Sequence, residues 1–299
     1  MKWLFGLAVL LAPAAHAETL LTAHPAAEAL ARRLTEGTGI EVVAVQPDKL
    51  PPSRVASYLA GRGHAGLDEA ALGADAVLTF RSFWAEDPLY PAARRANIRI
   101  VEIDAAQPLD ERMPGMAVLD PAATEAPLYA ALGLEPMPPE GEETAPWLSP
   151  SRLGEMAEVV TGDLSRLAPT DADQLGQNLA GLKRELLEIK AHADQALAQR
   201  DNVDVVALSP QFGYFAADLG LDLRARLIAA PDEWTEARAD KLAAWLAREG
   251  ITTVLTARAL PASLSDRLAR QQVQVLLLDS TDSGDPAALI ARNIATFAK

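Results

Sequence analysis

Five short apolar runs end in residues equipped to hold a ligand. The run Thr19–Thr22 leads to His24, residues 76–80 to Arg81, Ser82 and Trp84, and residues 203–208 to Ser209 and Gln211. Residues 252–255 lead to Thr256 and Arg258, and residues 273–278 to Asp279. Imidazole and carboxylate donors suit a divalent cation, so His24 and Asp279 are candidate metal ligands. Arginine offers a planar fork for a carboxylate or phosphate, and an indole packs on an organic body. Arg81 with Trp84 therefore points to an organic anion or a metal chelate, with Trp147 and Tyr214 as further aromatic surface. Plain structural roles compete with these. Arg81 can pair with Glu86 or Asp87, Trp84 can fill an interface, and Tyr214 can belong to a core. His64, between Gly63 and Gly66, also fits an exposed loop.

The elements that must position these residues are legible as pattern. Residues 19–22, 40–45, 76–80 and 98–103 read as buried parallel strands, as do 203–208, 223–229, 252–255 and 273–278. Helical periodicity separates them at 26–34 and at 236–248, the latter stopped by Gly250. Strand–helix alternation in both halves predicts an α/β fold of two lobes with mainly parallel sheets. In such sheets ligands bind beyond the carboxyl ends of the strands, where the residues above lie.

Between the halves, Leu175, Leu179, Leu182, Leu186, Ile189, Ala193 and Leu197 recur at spacings of three and four. They form one face of a long helix, which predicts a rigid spine joining the lobes. Thr170 with Asp173 reads as its capping box. The expected organisation is a leader at 1–17, a first lobe at 18–150, a linker with the spine helix at 151–200 and a second lobe at 201–299. The stretch 105–146, with Pro136, Pro138, Pro139, Glu140, Glu142 and Glu143, reads as an exposed acidic connector.

The leader consists of Lys2, an apolar core too short to span a bilayer and the small-x-small site Ala15-His16-Ala17. It predicts an exported protein, soluble in the periplasm. The chain has no cysteine, hence neither disulfide nor lipidated cysteine. Lys2 is the leader's one charge, so cleavage takes the formal net charge from −14 to −15. Such a surface is unsuited to nucleic acid. No nucleophile elbow, phosphate loop or His-Glu-x-x-His motif is present, so no enzyme is predicted.

Three ordered segments carry a resemblance: Trp147-Leu148-Ser149-Pro150, Phe212-Gly213-Tyr214-Phe215 and Leu278-Asp279, with the long helix between the first two. In that order they resemble the periplasmic solute-binding proteins of zinc/manganese-type metal ABC importers. The resemblance is close from Thr144 onward and loose over the first hundred residues. It implies a metal-binding histidine ahead of each of the first two segments, where this chain has Ala145 and Ser209. It places the family's first histidine near residues 59–61, where no such motif stands, makes His64 a few positions away the candidate metal ligand to substitute for it, and matches one ligand by type, Asp279. Zinc sites normally use four ligands. The chain is thus expected to be a divergent member lacking most metal ligands.

The resemblance implies a monomeric binding protein that hands cargo to an inner-membrane ABC permease. Zinc, manganese, iron, a metal chelate or an organic anion are the possible cargoes, and no resident cofactor is expected. The alternative is a relative with a degenerate site that acts as an envelope interaction protein or accessory metal chaperone.

Overall fold

The computed structural model describes residues 17–48, 50–110, 114–116, 126–135, 144–282 and 284–297. The leader at 1–17 lies outside these except for Ala17, and so do Pro136 to Glu143 of the acidic connector.

The first lobe comprises β1 (Thr19–Thr22), α1 (Pro25–Leu34), β2 (Glu41–Ala44), α2 (Pro52–Ala60), α3 (His64–Gly73), β3 (Ala76–Thr79), α4 (Leu89–Ala96) and β4 (Val101–Asp104). After it come α5 (Ala126–Leu132), α6 (Pro150–Leu167) and α7 (Ala172–Leu197). The second lobe follows with β5 (Asp204–Ala207), α8 (Gly213–Asp218), β6 (Asp222–Arg226), α9 (Glu236–Glu249), β7 (Thr253–Thr256), α10 (Ala262–Arg270), β8 (Gln274–Leu277) and α11 (Pro286–Phe297). Each lobe holds one all-parallel sheet, in the orders β2-β1-β3-β4 and β6-β5-β7-β8. All eight strands thus form at the apolar runs.

Strand alternation distributes the core into layers. Leu20 faces α1 and the spine, whereas its neighbour Leu21 faces α2, α3 and α4. In the second sheet Val205 faces inward and Val206 faces α9 and α10. The inward faces of both sheets share one apolar cluster, which runs from Leu20 through Leu175 and Leu182 of α7 to Leu255, Leu276 and Phe297.

The spine is the 26-residue α7, which buries Leu175, Leu182, Leu186 and Ala193. It is paired with an antiparallel partner that the periodicity reading did not single out, the 18-residue α6, which buries Leu153, Met156, Ala157, Val160 and Leu164. The predicted capping box at Thr170 and Asp173 does not form. A 3-10 turn over Pro169–Asp171 leads into α7 instead, and the Asp171 carboxylate accepts the Gly39 N–H at 3.1 Å. Short α5 precedes the spine yet packs on the second lobe. There Tyr129 accepts the Ile228 N–H through its hydroxyl at 2.7 Å, and Leu132 joins the cluster under α9.

Candidate functional site

The order of each sheet reverses between two strands, β1 and β3 in the first and β5 and β7 in the second. Crevices for ligands open at the carboxyl ends of such pairs. In the first lobe that place is held by His24 and by the segment from Phe80 to Asp87.

His24 caps α1, with its Nδ1 accepting the Ala26 N–H at 3.1 Å. An accepting Nδ1 leaves the ring hydrogen of a neutral imidazole on Nε2. Pro25 supplies a helix-compatible backbone angle at the first position. The ring is 2% exposed and caged by aromatic neighbours: Trp147 at 4.7 Å between centroids, Phe80 at 5.1 Å and Trp84 at 5.8 Å. Phe80 and Trp147 stack with their planes 18° apart, and the Trp147 indole N–H donates to the Ser280 carbonyl of the second lobe at 2.8 Å.

Around this cage runs a carboxylate rim. Asp87 is buried, and its oxygens accept the N–H groups of Phe80 and Leu89 at 2.9 and 3.0 Å. Burial pushes its carboxyl above the ordinary carboxylate value, against the opposing pull of those bonds and of nearby His24. Arg81 pairs with neither Glu86 nor Asp87. Its guanidinium lies 2.6 Å from Glu102 on β4 and 5.7 Å from the centroid of the Tyr90 ring. Glu102 also accepts the Thr79 hydroxyl at 3.0 Å. Its carboxyl is pushed up by burial and by neighbouring Asp104 and Asp87, against the pull of Thr79 and Arg81. Asp104 accepts both the N–H and the hydroxyl of Ser82, at 3.0 and 2.7 Å.

In the second lobe the residues at the matching place serve the backbone. Ser209 is buried, and its Oγ accepts the Ala257 N–H at 2.9 Å, tying the ends of β5 and β7. Arg258 donates to the Ala229 carbonyl at 2.8 Å. Tyr214 is buried on α8. Asn293 of α11 clamps Asp279, accepting its N–H and donating to its carbonyl, while the Asp279 carboxylate stays exposed 3.7 Å from Arg292.

The structure therefore gathers His24, Trp84 and Trp147, with Arg81 on the rim. His64 and Asp279 engage other partners. His64 starts α3, half-exposed, with Nδ1 3.1 Å from the Asp68 carboxylate. Ala145, at the position matching a family ligand, is fully buried. Among the described residues no three His, Cys, Asp or Glu side chains form a group that could hold a metal ion. Sequence reasoning misses Phe80, Asp87, Glu102 and Asp104 as members of this region. The alternation of Glu102 and Asp104 with Val101 and Ile103 puts both acids on one face of a strand, which is the available signal.

The family model for the periplasmic zinc-uptake complex component A, ZnuA, matches residues 100–299, more than half of the chain. The chain belongs to the ZnuA family. It is accordingly a metal-type ABC substrate-binding protein. Solved structures agree in fold. A mutant of FpvC from Pseudomonas aeruginosa is 18% identical, with a TM-score of 0.69 over 94% of this chain and 97% of that one. A ZnuA crystal structure is 17% identical, with a TM-score of 0.62 over 94% and 98%. The Zn(II)-bound ZnuA-like domain of AdcA from Streptococcus pneumoniae is 17% identical, with a TM-score of 0.63 over 94% and 97%. A comparison with curated proteins finds no match. No helix among the described residues is long and apolar enough to cross a membrane.

Proposed function

We propose that this ZnuA-family chain works in the periplasm, after cleavage of its leader, as the substrate-binding component of a metal-type ABC importer. It takes up cargo at the crevice between the lobes and delivers it to an inner-membrane permease. The cargo class that fits best is a metal already held by an organic or anionic chelator. One observation carries this choice: the strand ends of the first lobe expose part of the Trp84 indole and about half of the Arg81 side chain while the His24 ring is buried, and no group of metal donors forms among the described residues. An indole face suits an organic body and a guanidinium suits its negative charge.

Native mass spectrometry of protein purified from its own periplasm tests the reading. A bound mass equal to metal plus chelator is expected, and a stoichiometric bare metal ion would overturn the chelate assignment. Deletion of the gene is expected to lower cellular zinc, manganese or iron under limitation, and unchanged contents would overturn the importer role. A second reading, an envelope interaction protein or accessory metal chaperone, is favoured by the buried, donor-free Ala145 and by Ser209, whose oxygen is spent on the backbone.

A further inference from the structure

Three carboxylates, Asp87, Glu102 and Asp104, stand close enough at the ends of β3 and β4 to feel one another's charge, yet they are held in different ways. Asp87 has both oxygens on backbone N–H groups, those of Phe80 and Leu89 at 2.9 and 3.0 Å. Asp104 accepts the N–H and the hydroxyl of Ser82 on one oxygen and the Ala106 N–H at 3.0 Å on the other. The Glu102 side chain has no backbone donor among the described residues. One of its oxygens accepts the Thr79 hydroxyl at 3.0 Å, and the other meets the Arg81 guanidinium at 2.6 Å. A ligand cannot take away donors that are fixed in the backbone. It can take Arg81, whose side chain is 47% exposed while that of Glu102 behind it is 11% exposed.

An anion that binds Arg81 therefore competes with Glu102 for one guanidinium. Once displaced, Glu102 keeps a single neutral donor, Thr79, in a place largely closed to water. Arg81 is the cation that faces it, whereas Asp104 on the same strand and Asp87 ahead of α4 repel its charge. From α4, Tyr90 packs against Arg81 and accepts a hydrogen bond from Arg94 at 2.6 Å. Burial and the two neighbouring acids already hold the Glu102 carboxyl above its ordinary value. Losing its cation and gaining an anionic neighbour pushes it further the same way. Protonation removes the unpaired charge and turns the freed oxygen into a donor that a carboxylate on the cargo can accept.

We infer that an anionic cargo takes the Arg81 guanidinium from Glu102, and that Glu102 takes up one proton from the solvent as it is released. The inference deepens the proposed function and rests on its reading of Arg81 as a cargo contact. Glu102 is then the resident occupant of the anion site, and a ligand too weakly charged to displace it is excluded. Between the Glu102 pKa of the free chain and the higher one of the loaded chain, each cargo bound brings a proton with it, so affinity rises as pH falls. Above both values Glu102 stays ionised and opposes cargo. Below both, affinity no longer depends on pH.

The zinc complex of ethylenediaminetetraacetate is the probe, because its carboxylates stay ionised on the metal and its charge is constant between about pH 5 and pH 8. Calorimetry in phosphate and in Tris, whose heats of ionisation differ, counts the protons taken up with it. The wild type is expected to take up as much as one proton per complex and to lose affinity by up to about tenfold per pH unit across this range. Glu102→Gln keeps the shape without a charge to titrate, so it is expected to bind with no uptake and with an affinity flat in pH. Binding by the wild type without uptake, or uptake that persists in Glu102→Gln, would overturn the inference alone. No binding by either protein would overturn the chelate reading and the inference with it. A cargo-free measurement stands beside these. Carboxyl-carbon NMR of Arg81→Gln is expected to show Glu102 titrating at higher pH than in the wild type, and an unmoved midpoint would overturn the inference, since Arg81 would then not be what holds Glu102 ionised.

Discussion

Ser149 donates its hydroxyl to Asp218 at 2.7 Å, and this bond fastens the first turn of α6 to α8. Ser151 adds its backbone N–H at 2.8 Å and its hydroxyl at 2.7 Å, while Lys190 of α7 stands 3.8 Å away. Asp218 is thus one polar point where the spine meets the second lobe. Burial pushes its carboxyl up, but the bonds from Ser149 and Ser151 and the charge of Lys190 outweigh it and hold the pKa below its ordinary value.

A carboxylate held below its unfolded value contributes stability that is fully present above that value, 3.8 here, and is lost as pH falls through the folded one. Asp218→Asn is therefore expected to lower stability near neutrality by about 1–2 kcal/mol. The gap to the wild type should narrow in acid below 3.8. Urea denaturation near neutrality and in acid checks both expectations, and an equal gap in the two conditions would count against the account.

Asp163 and Glu102 should behave in the opposite sense. Burial pushes the Asp163 carboxyl up, although it accepts the Leu109 N–H at 3.0 and 3.2 Å and pairs with Arg166. For a carboxyl whose folded pKa is raised, the stabilising contribution is present below the unfolded value and is lost as pH rises through the folded one. Carboxyl-carbon NMR is expected to show Asp163 and Glu102 titrating above their ordinary values and Asp218 below. The reverse order would refute the burial argument.

His24 offers a separate test of local structure. His24→Ala removes the cap of α1 and is expected to cost at least about 1 kcal/mol. His24→Asn restores an acceptor at the cap but not the ring, so it should recover some of that loss. Denaturation midpoints of the three proteins decide the matter. No recovery with asparagine would mean that the ring, packed among Phe80, Trp84 and Trp147, supplies the whole effect.

Cargo class is best separated by calorimetry on Arg81→Ala, His64→Ala and Asp279→Ala with zinc, manganese and anionic chelates. Because Arg81 is half-exposed and shared with Glu102, its loss is expected to weaken chelate binding roughly tenfold, about 1.4 kcal/mol. Bare metals are expected to bind weakly and to be little affected by any of the three changes. Nanomolar zinc binding that survives Arg81→Ala but vanishes with Asp279→Ala would reverse the proposal.

The strands are legible because buried parallel strands write themselves as apolar runs such as Ala-Val-Leu-Thr, and the spine because seven apolar residues share one face. The partner helix α6 is harder to see, although Leu153, Met156, Ala157, Val160 and Leu164 carry the same spacing. Glycines at 154 and 162 and its brevity beside α7 dilute the pattern. At the site, position is easier to read than contact. The strand-end rule locates His24 and Arg81, but Glu102 as the partner of Arg81 depends on the pairing of β3 with β4, which no local pattern reveals. Asp279 looks like a ligand by type. Its actual surroundings are set by Asn293, fourteen residues on.

The paired spine also sets an order of events during synthesis. A chain that emerges from its N-terminus presents β1, β3 and β4 first, yet their inward residues Leu20, Leu78 and Ile103 share a core with α6 and α7. Until residue 197 is available, that face of the sheet is covered only in part, by α1. Apolar faces left open in this way invite aggregation. The first lobe is thus a late finisher despite being made first, and a chain of this kind gains from being complete before it folds.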